Sequence, residues 1–339
     1  MKHLLKSALV AAVLAAPATA EVSMNAVTLV PKPVSIAAPF GMFVDAVNER
    51  FEGRVKINWR GGPEVMPPFG QAEAVRNGAM DMTYTSPSYY SGLVPTSGTM
   101  NMSFKSYAEI AETNYHERMT ELHAEKDLVY LGEIPATDLN FLIYMADPVT
   151  SLADLEGKRI RVFPALLPLV QALGAEAIVL PMGEIFTAME RGTIDGFMQG
   201  PVGNHMQFEG VVDTVIYPGV YRAGFPVLVN KDTWAEVPTE TQAELITFLR
   251  DELAPELDTI WADDLAKGVA DMDAAGFTRL DLSAEEAAEL EQIAMDAAWG
   301  ALAVTAGDEI AAELRARPMP HPWRFAQAQR PLRLTSPDG

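Results

Sequence analysis

The chain has 339 residues, a length that suits about two domains. Its 46 Asp and Glu outnumber its 25 Lys and Arg, for a formal net charge of −21, which makes nucleic acid and anionic lipid surfaces poor partners. It has no cysteine, so disulfides, thiolate metal sites and a cysteine nucleophile are excluded, and a core drawn from the 49% of hydrophobic residues must hold the fold unaided.

At the start of the chain, Lys2 and Lys6 precede an uncharged apolar run from Ala8 to Ala16. Ala18-Thr19-Ala20 then shows the small-x-small pattern that a signal peptidase accepts. Residues 1–20 are expected to be a removable export signal, with the mature chain starting near Glu21. The apolar run falls short of the roughly 20 residues that cross a bilayer, and no later stretch spans one, so the mature chain is expected not to be membrane-embedded.

Val27 to Leu29 reads as a first strand. Phe40, Phe43, Val44, Val47 and Phe51 recur at helical spacing, and Val55 to Trp59 reads as a second strand. Gly61-Gly62-Pro63 and Pro67-Pro68 bracket a loop. A short helix over Gln71 to Asn77 ends at Gly78, and a strand over Met80 to Thr85 is broken by Ser86-Pro87. One long helix is expected from Ser106 to Lys126. Strands follow at Leu128 to Leu131 and Leu139 to Tyr144, then at Ile160 to Phe163, Ala177 to Leu180 and Ile194 to Met198. Helices over Leu166 to Leu173 and Gly183 to Arg191 fall between the last three. This alternation predicts an α/β fold. After Val229 the pattern turns helical: one stretch from Thr239 to about Ala270, and another that starts at the cap Leu282-Ser283-Ala284-Glu285-Glu286 and runs to about Arg315. Such helices suggest braces across a two-lobed body.

Catalytic signatures are absent: no G-x-S-x-G, H-E-x-x-H, P-loop or G-x-G-x-x-G occurs. His116 and His123 lie seven apart on one helical face, too far apart to share a metal readily, and are expected to face solvent. His205 and His321 have no nucleophile beside them. Asp263-Asp264 and Glu285-Glu286 read as solvated helix faces. No metal or cofactor is expected, and binding is favoured over catalysis.

The informative segments form a spaced set. In the second half they are Leu155-Glu156-Gly157-Lys158-Arg159-Ile160-Arg161-Val162, Gly174-Ala175, Pro181-Met182-Gly183-Glu184-Ile185-Phe186-Thr187-Ala188-Met189 and Gly192-Thr193-Ile194-Asp195-Gly196. Phe225-Pro226-Val227-Leu228-Val229-Asn230-Lys231-Asp232-Thr233-Trp234 comes later, and Val75-Arg76-Asn77-Gly78-Ala79-Met80-Asp81-Met82 comes earlier. Together, from about Val27 to Thr233, they resemble the solute-binding subunits of tripartite ATP-independent periplasmic (TRAP) transporters, the DctP-type family. The resemblance implies an α/β, two-lobed periplasmic-binding-protein (Venus-flytrap) fold with long bridging helices. Residues 21–138 with 225–264 would form lobe I, residues 139–224 with 265–325 lobe II, and residues 326–339 a C-terminal tail. It implies a periplasmic monomer, not an enzyme, that captures a small organic acid and passes it to TRAP membrane permease subunits. An exported enzyme or a ligand sensor on the same fold is the alternative.

Arg161 lies in an apolar strand, where a guanidinium is costly to bury without an anion. Its planar fork suits a carboxylate, and the resemblance places the ligand carboxylate there. The competing reading is a structural salt bridge to an acid such as Glu184. Lys158 and Arg159 are expected to be solvent-facing or paired. The resemblance adds Gln199 as a polar ligand contact, Phe163 and Met198 as apolar walls, and Met182 where some members stack a ring. From lobe I, the stiff proline loop presents Glu64 or Met66, and Thr85, Ser86, Tyr89 and Tyr90 follow a strand end, where open α/β sheets bind ligands. Tyr221 and Arg222 precede the strand that returns to lobe I. One departure matters: sialic-acid-binding members carry a second Arg about where Phe141 stands, so the ligand is expected to have one carboxylate and a substantial apolar or aromatic part.

Overall fold

The computed structural model describes residues 20–316 apart from Phe104, Gly203 and Asn204. Residues 1–19 of the expected export signal, His321 and the 326–339 tail lie outside the described residues.

Eleven strands are described: β1 (Val22–Thr28), β2 (Val55–Gly61), β3 (Met82–Tyr84), β4 (Leu128–Ala136), β5 (Phe141–Met145), β6 (Arg159–Val162), β7 (Glu176–Val179), β8 (Gly196–Gln199), β9 (Thr214–Val220), β10 (Ala223–Asn230) and β11 (Thr278–Asp281). The helices are α1 (Ala38–Arg50), α2 (Gln71–Arg76), α3 (Tyr107–Ala111), α4 (Tyr115–Ala124), α5 (Leu167–Ala172), α6 (Ile185–Glu190), α7 (Lys231–Glu236), α8 (Thr239–Thr247), α9 (Ala254–Thr259), α10 (Trp261–Ala274), α11 (Ala284–Ala306) and α12 (Asp308–Ala316). The strands form two mixed sheets, in the orders β2-β1-β3-β10-β4 and β11-β9-β5-β8-β6-β7. The chain passes from the first sheet to the second between β4 and β5, and returns between β9 and β10. In β10, Val227 and Val229 enter one apolar cluster and Leu228 another. In β5, Ile143 and Met145 face one side while Leu142 and Tyr144 face the other. This period of two gives each sheet two covered faces, the expectation for α/β layers.

The bridging helices are present, with a different division. Helix α11 starts at the expected cap: Ser283 accepts from the Glu286 backbone N–H while Glu286 accepts from that of Ser283. Its Leu290, Ala294 and Ala298 pack on the second sheet, and its Met295, Trp299 and Leu302 pack on the first. The segment 265–325, assigned from sequence to lobe II, therefore serves both sheets, and Ala311 and Leu314 of α12 also join the first. Helix α10 spans the other way, from Trp261 in the first sheet's core to Met272 in the second's. Gly307, at φ +93°, separates α11 from α12 where one helix was expected. The stretch after Thr239 is likewise divided, with a π-helical turn over Phe248–Leu253 just before Pro255. The helix expected over Ser106 to Lys126 is two helices, because Thr113 turns back to bond Ile110.

His116 and His123 overturn the solvent-facing expectation: they are 4% and 0% exposed. Tyr130 of β4 stacks on both rings, with centroids 6.2 and 5.0 Å away. Seven residues on a helix return to one face, and here that face points inward against β4. The His123 Nδ1–H donates to the Met119 carbonyl at 2.7 Å, which leaves Nε2 to accept from the Tyr90 hydroxyl at 2.9 Å. Burial drives the two imidazoles down to about 3 (His116) and about 4 (His123), so both are neutral in the folded protein. Their stabilising contribution is complete above the unfolded value near 6.5 and is lost as pH falls toward 4. In denaturant titrations between pH 4 and 6.5, His123→Gln should flatten the rise of stability with pH by about one proton, or ~1.4 kcal/mol per pH unit. An unchanged slope would show that His123 is not buried neutral.

Candidate functional site

Three cations stand close together in sequence and meet different fates. Lys158 lies 3.6 Å from Asp147. Arg159 grips Asp195 with its backbone N–H (2.8 Å), Nε (3.0 Å) and Nη2 (2.5 Å). Arg161 is 2% exposed and forms no ion pair with any described residue, Glu184 included. It is held instead by neutral carbonyls: Nε and Nη2 donate to Leu180 O at 2.8 and 2.6 Å, and Nη1 donates to Met198 O at 3.3 Å. These bonds leave one N–H on each terminal nitrogen, the edge with which a guanidinium takes a carboxylate. Burial pulls the Arg161 pKa down, with Tyr89 and then Glu184 opposing, yet a guanidinium stays charged in proteins.

Tyr89 belongs to a 3-10 turn, Pro87–Tyr90, that follows β3 of the first sheet. Burial raises its phenol pKa while Arg161 opposes the rise through its charge and a side-chain hydrogen bond to the Tyr89 hydroxyl, a contact between the lobes. Tyr89 and Phe141 each pack against the core of both sheets, and Met182 packs against the first sheet's core and the outer cluster of the second. Phe69 sets its ring edge-on to Tyr89 at 4.6 Å, and Phe141 does the same to Phe163 at 4.7 Å. The lobes therefore meet around Arg161 on aromatic and thioether surfaces.

The other expected site residues divide. Gln199, at the end of β8, is 7% exposed, and its Oε1 has no partner. Thr85, just past β3, is fully buried, and its Oγ1 has none either. Ser86 Oγ bonds Ser88 Oγ at 2.8 Å. Met198 supplies its carbonyl to Arg161, while its side chain packs on the opposite face of the sheet with Ile160 and Val162. Glu64 is exposed and accepts from the Gly62 N–H at 2.8 Å, which lowers its pKa. The Met66 carbonyl accepts from Gln71 at 3.1 Å. Tyr90 is committed to His123.

Tyr221 and Arg222 form the return crossing. Tyr221 roots its ring in the second sheet's core and donates its hydroxyl to Ala294 O of α11 at 2.5 Å. Its backbone is left-handed, at φ +57°. Arg222 turns into the first lobe, where Nε donates to Met100 O at 3.0 Å and Nη2 lies 3.2 Å from buried Glu133. Burial raises the Glu133 carboxyl to about 7, with Arg222 opposing. Gly224 makes room for that carboxylate, since a Cβ there would lie 1.7 Å from Oε1. Asn140 of the outgoing crossing donates to Tyr221 O, and Asn101 donates to Arg222 O. Sequence reasoning missed Glu133, Asn101, Asn140 and Phe69 as parts of this region, since none sits in a recognisable motif. Phe141 entered only as the place of an absent arginine.

Among the described residues, no group of three or more His, Cys, Asp or Glu is placed to hold a metal, and no helix is long and apolar enough to cross a membrane. Comparison with known proteins gives a consistent picture. The monocarboxylate 2-oxoacid-binding periplasmic protein of Nostoc is 27% identical over 208 residues, which cover 58% of this chain and 56% of that protein. The chain thus spans about half the length of that relative, and a match to a protein of Sinorhizobium fredii spans 32% of it. A solute-binding protein of Albidiferax ferrireducens is 25% identical, over 76% of this chain and 78% of its own. A TRAP periplasmic solute-binding protein from Desulfovibrio salexigens, solved with bound orotic acid, superimposes with a TM-score of 0.78 at 19% identity, covering 87% of this chain and 96% of its own. The fold is thus the two-lobed one expected from sequence. The profile of bacterial extracellular solute-binding protein family 7, DctP, matches residues 29–303, and the chain belongs to that family.

Proposed function

We propose that this chain is a periplasmic receptor, not an enzyme, that captures a small organic acid by lobe closure and delivers it to a TRAP membrane permease. The observation that carries this reading is Arg161, a buried guanidinium with two N–H groups free of carbonyls and no protein carboxylate against it. A ligand carboxylate on that edge supplies the missing counter-charge to a guanidinium already shielded from solvent. Contacts from both lobes then shift an open–closed equilibrium toward closed. Arg161 comes from one lobe and Tyr89 from the other, so one ligand touches both.

One unpaired cation calls for one carboxylate, and the Tyr89, Phe141, Phe163 and Met182 surfaces call for an apolar or planar remainder. Three relatives' names fall in this range: a monocarboxylate 2-oxoacid for the Nostoc protein, orotic acid for that of Desulfovibrio, and pyroglutamic acid for a Bordetella pertussis receptor of TM-score 0.69; other solved relatives hold succinate or D-glucuronate. The basic-then-apolar start of the chain supports export with cleavage near Ala20; the crossing between β4 and β5 supports a lobe boundary at 138/139, whereas the return crossing at 221–222 favours a second boundary ahead of β10 over the one expected at 224/225.

In a thermal-shift and calorimetric screen of carboxylic acids, monocarboxylates with an apolar part should raise the melting temperature and bind tightest. Tight sialic acid or succinate binding without any monocarboxylate binding would contradict the single-carboxylate reading. Arg161→Gln keeps N–H groups for the Leu180 and Met198 carbonyls and removes the charge. Its affinity for the same acid should fall by about 2–5 kcal/mol, some 30-fold to several thousand-fold. The ligand-free melting temperature should hold or rise, because an unpaired buried charge is gone. Unchanged affinity in a folded variant would remove Arg161 from the site.

A further inference from the structure

The described residues hold seven buried polar side-chain atoms without a hydrogen-bond partner. Asn101, His116, Glu133 and Arg222 belong to lobe I and the return crossing, and Trp299 lies on the bridging helix. Thr85 Oγ1 and Gln199 Oε1 are different in position. Each stands at the carboxyl end of a strand, β3 in the first sheet and β8 in the second, where α/β sheets hold ligands. Gln199 follows Met198, whose carbonyl accepts from Arg161, and its side chain shares a sheet face with Arg161. In the register Gln199 opposes Leu142, and Arg161 pairs with Phe197, and both of these belong to the same outer cluster. Thr85 directly precedes Ser86, the cap of the turn whose Tyr89 bonds Arg161.

Resting on the receptor reading above, we infer that the ligand carries, beside its single carboxylate, an O–H or N–H donor that meets Gln199 Oε1, and that Thr85 completes the contact from the other lobe. The chemistry follows from what each atom can do. An amide oxygen only accepts, whereas a hydroxyl both donates and accepts. An alkanoate or a plain 2-oxo acid offers acceptors alone at neutral pH, so it satisfies Arg161 and Thr85 but leaves Gln199 Oε1 unmet. A hydroxy acid, or an acid with an amide or imide N–H, satisfies all three. A site built to hydrogen-bond a ligand hydroxyl disfavours the analogue that lacks it, because its buried polar atom is then left unpaired. The same atoms make closure depend on the ligand: with no ligand bound, the closed form leaves Gln199 Oε1 and Thr85 Oγ1 unmet and gives the Arg161 charge only the neutral Tyr89 hydroxyl and main-chain carbonyls.

The test is calorimetric titration with matched trios of acids sharing one carbon skeleton: lactate, pyruvate and propionate; the 2-hydroxy, 2-oxo and unsubstituted 4-methylpentanoates; and 3-phenyllactate, phenylpyruvate and 3-phenylpropionate. In the trio that binds tightest, the hydroxy acid should exceed both others by about tenfold or more. In Gln199→Leu that advantage should collapse to within about threefold, with the unsubstituted acid bound as well as before or better. Thr85→Val, which keeps the side-chain shape, should also weaken the hydroxy acid selectively. Equal affinity across a trio, a 2-oxo acid that binds as well as its hydroxy partner, or an advantage that survives Gln199→Leu in a folded protein would overturn the donor assignment while leaving the carboxylate receptor standing. If no acid of any trio binds, the receptor reading fails and this inference fails with it.

Discussion

A guanidinium buried to 2% exposure, braced by two main-chain carbonyls and faced by no protein carboxylate, is the constraint on which the site depends. A buried charge without a counter-charge is unfavourable, and folded proteins normally pair it. This chain does pair its other buried arginine: Arg222 has Glu133. It also neutralises Arg159, two residues before Arg161, with Asp195. Among the described residues, leaving the fully buried Arg161 without a carboxylate concentrates an unmet electrostatic demand there, in a protein whose overall charge is strongly negative. The carbonyls of Leu180 and Met198 orient the fork without cancelling its charge, which is what recognition of an external carboxylate requires.

The rest of the fold positions that point between the two lobes. Four connections join the sheets: the two crossings at 137–140 and 221–222, and the helices α10 and α11. Tyr221 and Arg222 touch most of them at once. The Tyr221 ring is anchored in one lobe and the Arg222 fork in the other, with Asn140 and Asn101 bonded to their carbonyls. A left-handed non-glycine residue is held only where its surroundings over-determine it, and these four contacts do so for Tyr221. The surfaces that meet near Arg161 are rings and a thioether, while Gln199 Oε1 and Thr85 Oγ1, each at the carboxyl end of a strand, are buried without a partner. On the proposed receptor reading, shape permits closure and a ligand completes it.

Much of this was legible in the sequence, for physical reasons that differ by element. The short strands around Arg161 were apolar runs bounded by glycines, and Ser283 carried a capping box, so these elements could be read locally. Arg161 itself was legible because a cation inside an apolar strand demands an explanation. The burial of His116 and His123 was not, since helical spacing says that two residues share a face but not which face is covered. The strand Thr214–Val220 escaped notice because it is buried along most of its length and carries Pro218-Gly219, so it shows no alternation, and the edge strand Thr278–Asp281 because it is short and mostly exposed. The breaks at Thr113 and Gly307 depend on side-chain bonds and backbone angles that periodicity does not report. The role of Met198 also changed: β-alternation turns its side chain away from Arg161, and only its carbonyl serves the site. Glu133, Asn101 and Asn140 act through contacts made across more than eighty residues of chain, which no local pattern encodes.

The most direct test of the central claim is a crystal structure of the mature protein with a bound monocarboxylic acid. The account predicts closed lobes, a ligand carboxylate within about 3 Å of Arg161 Nη1 and Nη2, and the Leu180 and Met198 carbonyls still holding the guanidinium from behind. A ligand carboxylate held elsewhere, or Arg161 turned onto a protein acid in the bound state, would contradict it.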